Sequence, residues 1–160
     1  NKNQEMLIKA FNYFDNDFHV KLKIIGGGKK QFVKELKELI NSLGLMDKVE
    51  LCGAVDRQEI RRVMQQSHCL VVSSQVETFG VVVIEAMSCG IPVVSTKCGG
   101  PEYIINVDTG ILTEENNEKS LFESMKEASQ KKWNTDNIRS YVESNFSSES
   151  YANKMLNLFR

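Results

Sequence analysis

The chain has 160 residues and a formal net charge of -1, with 41% hydrophobic and 26% charged residues. That length suits one domain with a sizeable core. The near-neutral balance excludes the broad basic field of a nucleic-acid or membrane-surface binder, no apolar run approaches a membrane span, and nothing at the start resembles a signal peptide.

The first residue is Asn1 rather than Met, within a helix-like segment, as in a piece of a longer protein. Residues 3–14 (NQEMLIKAFNYF) place Met6, Leu7, Ala10, Phe11 and Phe14 at helical spacing. HVKLKII (19–25) alternates apolar and basic residues as a strand does, until Gly26-Gly27-Gly28 breaks it. The stretch 30–44 is an amphipathic helix with Phe32, Leu36, Leu39, Ile40 and Leu43 on one side and Gly44 at its C-terminal cap. KVELCG (48–53) is a short strand. In DRQEIRRVMQQS (56–67), Asp56 and Glu59 read as a capping box for a helix that turns Ile60, Val63 and Met64 inward.

Two strands of nearly the same text follow, CLVVSS (69–74) and IPVVST (91–96). Continuous apolar strands of this kind belong in a parallel sheet covered on both faces. Between them, FGVVVIE (79–85) has strand propensity. A parallel crossover, however, needs a dozen or more residues and usually a helix. Topology outweighs propensity, so a helix is expected from about Gly80 to Ser88, ended by Cys89-Gly90 and closed off by Pro92. GILT (110–113) is a fifth strand, and helices are expected from about 118 to 131, 136 to 145, and 149 to the end. Ser147 or Ser148 can cap the last of them. The fold class is α/β, a doubly wound, Rossmann-like parallel sheet in one domain over residues 1–160. Such sheets bind ligands outside the carboxyl ends of their strands.

Within that frame Glu85 poses a problem. It follows Val81, Val82, Val83 and Ile84 and precedes Ala86 and Met87, and a carboxylate buried there without a partner is strongly unfavourable. Something at the site is expected to compensate it. The helix start at Phe79-Gly80 offers free N–H groups and the positive end of a dipole, which attract phosphate, and Gly80 lets a ligand approach the backbone. Glu77 on one flank and Glu85 on the other can accept hydrogen bonds from hydroxyls on either side of that phosphate. Two sugars joined through a diphosphate present those groups in that order, which is a nucleotide sugar. Gly26-Gly27-Gly28, between a strand and a helix, stands where a second phosphate nest would form. Each feature alone has a plainer reading: Glu77 as a solvated loop residue, Glu85 as one half of a structural ion pair, and the glycines as a tight turn.

Elsewhere the chemistry is sparse. Cys52, Cys69, Cys89 and Cys98 form no CxxC pair and have no His at ligand spacing. They read as reduced core residues rather than a disulfide frame or metal ligands. His19 and His68 lack a nucleophile nearby in sequence, and the sequon Asn145-Phe146-Ser147 matters only in a secreted chain. No metal or cofactor is assigned.

SSQVETFGVVVIEAMSCGIPVVSTKCGGPEYI (73–104) resembles the donor-site signature of retaining glycosyltransferases with two Rossmann-like domains, the GT-B architecture of the family 4 or group 1 type. The shared pattern is Glu, seven residues, Glu, with Phe-Gly inside, then Glu-Ala-Met, a Gly-x-Pro-Val strand and a Gly-Gly turn. KIIGGG resembles the Gly-x-Gly turn of that family, and VELCGAV its strand and loop near the base. The resemblance covers essentially the whole chain, but only the C-terminal, donor-binding half of such an enzyme.

By that resemblance Glu77 is the catalytic residue and holds hydroxyls of the transferred sugar, and Glu85 holds the ribose hydroxyls. Thr78, Phe79, Gly80 and Val81 offer backbone groups to the sugar and diphosphate, and Gly26 and Gly28 line the phosphate turn. Cys52, Ala54 and Val55 border the base, and Lys2 helps neutralise the diphosphate beside an arginine that would precede Asn1. An N-terminal acceptor domain and this domain's first strand would lie upstream. The implied reaction is hexosyl transfer from a UDP- or GDP-linked sugar to a glycan or lipid-linked acceptor, with retention and without a metal, in the cytoplasm or at the inner membrane face. This piece alone is expected to fold and bind donor nucleotide weakly, without transferring. Two other readings stand beside it. One is a binding module without transferase activity, such as a response-regulator-like domain, although KLKII and KVELC lack the acidic cluster that would need. The other is a two-Rossmann sugar-nucleotide epimerase.

Overall fold

Helices and strands alternate along the chain, and every strand pairing is parallel. The computed structural model describes residues 2–15 and 18–150. In chain order they form α1 (Gln4–Phe11), β1 (Leu22–Ile25), α2 (Lys30–Ser42), β2 (Val49–Gly53), α3 (Arg57–Gln65) and β3 (Leu70–Val72). Then come α4 (Val81–Ser88), β4 (Val93–Ser95), α5 (Gly100–Ile104), β5 (Gly110–Leu112), α6 (Glu118–Gln130) and α7 (Thr135–Phe146). The hydrogen-bonded ladder is in two parts: β1 with β2, and β4 flanked by β3 and β5.

Successive strand residues point to opposite faces, and the core is divided accordingly. Val71, Val94 and Ile111 pack into one hydrophobic cluster, whereas Val72, Val93 and Leu112 pack into the other. The first cluster is covered by α1 and α6, the second by α4 and α7, so the β3–β4–β5 ladder is wound on both sides. Helix α1 also reaches the other ladder. Its cluster takes in Leu22, Ile24 and Leu51, and α1 packs against both α2 and α6. Ile8, absent from the expected apolar set of that helix, is fully buried.

The helix ends follow local chemistry. After α2, the Gly44 N–H donates to Asn41 O at 3.1 Å and the Leu45 N–H to Ile40 O at 2.9 Å, with Gly44 at φ 67. This is a full Schellman motif, and the buried pair Ile40 and Leu45 closes it. At α3 only half of the expected capping box forms. Asp56 accepts from the Glu59 N–H at 2.8 Å, but the Glu59 carboxylate turns to Arg62 at 2.7 and 2.8 Å. An ion pair one turn along the helix outcompetes a return to the cap.

The segment with strand propensity is the helix α4, as the crossover requires. Winding it turns Val83, Ala86 and Met87 into the core and leaves Val81, Glu85 and Ser88 on the outer stripe. This corrects the expectation for Glu85: it is exposed, and no buried charge needs compensating. An apolar run in sequence is not an apolar shell once the chain turns about 100° per residue.

Helix α5 was not anticipated, because Gly99-Gly100-Pro101 reads as a turn; Pro101 in the first turn of a helix forfeits no intrahelical bond. Strand β1 begins at Leu22 rather than at residue 19. Ser147 Oγ accepts from the Ser150 N–H at 3.1 Å at the start of the last helix, whose course beyond Ser150 lies outside the described residues. All four cysteines are free thiols; Cys98 is buried, and burial pushes the Cys69 thiol up to about 11. No helix among the described residues is long and apolar enough to cross a membrane.

Candidate functional site

The carboxyl ends of β3 and β4 open into two loops that are stitched together. The Glu77 N–H donates to Cys98 O at 2.7 Å and the Gly100 N–H to Glu77 O at 2.8 Å. Buried Thr96 adds a bond from its hydroxyl to Ser74 O at 2.6 Å. Glycine is required where the loops touch. A Cβ on Gly100 would lie 2.3 Å from Phe79 O, and Gly80 takes φ 86 with Pro101 at 3.4 Å. The Glu102 carboxylate accepts from the Gly99 N–H at 2.8 Å and fixes the start of α5. On the far side, Asn116 clasps Lys97, accepting from its N–H at 3.0 Å and donating to its carbonyl at 2.7 Å.

This framework presents Glu77. Its side chain is 18% exposed and forms an ion pair with Lys2. The Lys2 ammonium lowers the Glu77 carboxyl below the ordinary carboxylate range, against the opposing effect of burial, and the Gly80 and Thr78 amides lower it further. Three kinds of anion-binding group therefore converge on one spot at the start of α4: an ammonium, a loop amide and a helix-start amide. In this arrangement the anion they hold is the protein's own carboxylate.

The other expected residues fall in two places. Val81 is the first residue of α4, and Glu85 lies on its outer stripe, about 7.5 Å along the axis from Gly80 at the usual helical rise. Val76, Phe79, Val81 and Tyr103 are exposed at the rim. Gly26 and Gly28 leave the carboxyl end of β1, where the Gly26 N–H donates to Gly53 O at 2.8 Å. A Cβ on Gly27 would stand 3.8 Å from Ala54 Cβ, so the glycine turn and the loop holding Ala54 and Val55 adjoin. Sequence reasoning missed the Gly99–Glu102 turn as a support and Ser73 as a contact of Lys2; the second pair is 71 residues apart and has no local signal. A separate concavity of about 380 Å³ lies at the opposite, amino ends of β3 and β4, between His68, Cys89, Trp133 and Arg139, and none of the residues above borders it.

The family described as Glycosyl transferases group 1 matches residues 1–145. The phosphatidylinositol N-acetylglucosaminyltransferase gpi3 subunit of Schizosaccharomyces pombe is 40% identical over 86 residues, covering 53% of this chain and 18% of that protein. N-acetyl-alpha-D-glucosaminyl L-malate synthase of Bacillus anthracis is 33% identical over 114 residues, 71% of this chain and 29% of that protein. Among solved structures, Anabaena HepE in complex with UDP aligns with a TM-score of 0.83 and 27% identity, over 99% of this chain and 45% of that one. Sucrose-phosphate synthase from Thermosynechococcus elongatus aligns with a TM-score of 0.84 and 27% identity, over 99% and 42%. The chain thus spans less than half the length of these proteins.

Proposed function

The chain belongs to the group 1 glycosyl transferases, and we propose that it is the donor-binding part of an enzyme that moves a hexosyl group from a nucleotide-diphosphate sugar to a glycan or lipid-linked acceptor. One observation carries the reading: Lys2, the amides of Thr78 and Gly80, and Glu77 meet at the carboxyl end of β3. Ligands of open α/β sheets occupy that position. HepE, similar over almost the whole of this chain, is in complex with UDP. This supports a nucleoside diphosphate as the charged portion of the ligand.

In this reading the diphosphate takes over the Lys2 ammonium and the helix-start amides, and Glu77 turns to hydroxyls of the transferred sugar. Thr78, Phe79 and Val81 shape the backbone around the sugar. Glu85, exposed on α4, receives the ribose hydroxyls, while Gly26, Gly28 and Val55 border the rest of the nucleotide. The acceptor hydroxyl attacks the anomeric carbon on the face from which the diphosphate leaves and gives its proton to the departing phosphate oxygen, so configuration is retained. The negative charge that develops on the leaving oxygen is stabilised by preorganised N–H groups and the ammonium, with no metal required. The acceptor is held by an upstream domain, and the intact enzyme works in the cytoplasm or at the inner face of the membrane.

A ligand at one hundred times its dissociation constant stabilises a protein by about 2.7 kcal/mol. Thermal unfolding with UDP, GDP and ADP in turn is therefore expected to show a clear rise with UDP or GDP, and no rise with any of them overturns the reading. Retention is checked by proton NMR of the anomeric signal in the first product formed by the intact protein. Chelation with EDTA is expected to leave that rate unchanged.

A further inference from the structure

We propose that Ser73 is a positioning residue for Lys2, holding the backbone that delivers the ammonium to the site. Ser73 is the first residue past β3 and is buried at 4% exposure. Its hydroxyl donates to the carbonyl of Lys2 at 2.7 Å. Lys2 is thereby held at both ends by one loop, its carbonyl by Ser73 and its ammonium by Glu77 four residues later.

The chain between Lys2 and α1 needs such a hold. Asn3 has φ 49 and ψ 46, the only non-glycine residue with positive φ among those described. Left-handed backbone is disfavoured for an L-residue and persists where its surroundings impose it. The Asn3 side chain does not cap the helix; it donates to Met6 Sδ at 3.4 Å. The conformation is imposed from both sides, by the burial of α1 beyond it and by the Ser73 bond before it. Without that bond the Lys2 backbone loses its tie to the loop after β3, and a lysine held there by its tip alone loses most of its preorganisation.

The purpose of this placement rests on the donor reading; the placement itself does not. The groups facing Glu77 are the Lys2 ammonium and the amides of Thr78 and Gly80, so the Glu77 carboxylate reports the position of Lys2 without any ligand. The test uses the intact protein, with the Glu77 carboxylate titrated by carbon NMR and UDP and GDP binding followed by calorimetry. Ser73→Ala is expected to raise the Glu77 midpoint toward the ordinary carboxylate range and to weaken the nucleotide by about fivefold, the range of one lost hydrogen bond. Ser73→Thr restores both, because it keeps the hydroxyl. On a Lys2→Ala background, Ser73→Ala changes neither. An unmoved Glu77 midpoint in Ser73→Ala overturns the proposal, as does an equal loss of nucleotide affinity on the Lys2→Ala background. If no nucleotide binds but the midpoint shifts as expected, the donor reading falls and the positioning role stands.

Discussion

The two ladders differ in how much of them is enclosed. In β3–β4–β5 both faces are covered, and Val93, Val94 and Ser95 of β4 have no exposed surface. In β1–β2 the residues Lys23 and Glu50 are exposed partners in a cross-strand ion pair of 3.8 Å. The glutamate loop leaves the enclosed ladder and is pinned at its backbone, whereas the triple glycine leaves the open one. One half therefore supplies fixed geometry and the other supplies room. The proposed donor site draws on both.

Replacing glycine by alanine in each half should bring this contrast out most strongly. Gly100→Ala drives a methyl against Phe79 O and is expected to cost about 3 kcal/mol. Gly28→Ala meets only Phe32 and Val33 at 3.6 and 3.7 Å and is expected to stay within about 0.5 kcal/mol. Urea unfolding of both variants checks the difference, and equal losses would erase it.

Next in size is Glu77→Gln. It removes the charge that faces Lys2, and calorimetry with a UDP- or GDP-linked hexose is expected to show binding about tenfold weaker, whereas the bare nucleotide, which no longer has to displace a carboxylate from Lys2, is expected to lose nothing.

The pH dependence follows from the direction of the Glu77 shift. Its folded-state pKa is lowered, so the unfolded chain takes up this proton first on acidification. The stability it contributes is fully present above the ordinary carboxylate range and is lost as pH falls through the lower folded value. The urea midpoints of the natural chain and Glu77→Gln should therefore differ at pH 7 and converge on acidification below that range. The smallest effect belongs to the open ladder: Lys23→Gln, at an exposed pair, is expected to change stability by no more than about 0.5 kcal/mol.

These contrasts also explain which parts of the molecule were legible in the sequence. Glu77, Thr78, Phe79, Gly80 and Glu85 sit in nine consecutive residues, and the demand for a crossover between two matched strands was enough to overrule the valine run. The parallel α/β class followed from the same strands. The outward face of Glu85 was misjudged because an apolar run in one dimension conceals the period of a helix. Helix α5 was hidden because glycine and proline mark a turn and a helix start equally well. The hold of Ser73 on Lys2 was invisible for a different reason: it joins positions 71 residues apart through a backbone carbonyl, which every residue type carries.

The pairing of Glu77 with Lys2 and two nearby amides makes that corner electrically self-satisfied at rest. A stray inorganic anion arriving there must evict a tethered rival and strand it without a counter-charge, so little is gained. A molecule that brings hydroxyl groups alongside its own negative charge gives the displaced side chain a new home. In the proposed reading such a corner selects by exchange rather than by attraction, and its selectivity exists before any visitor arrives.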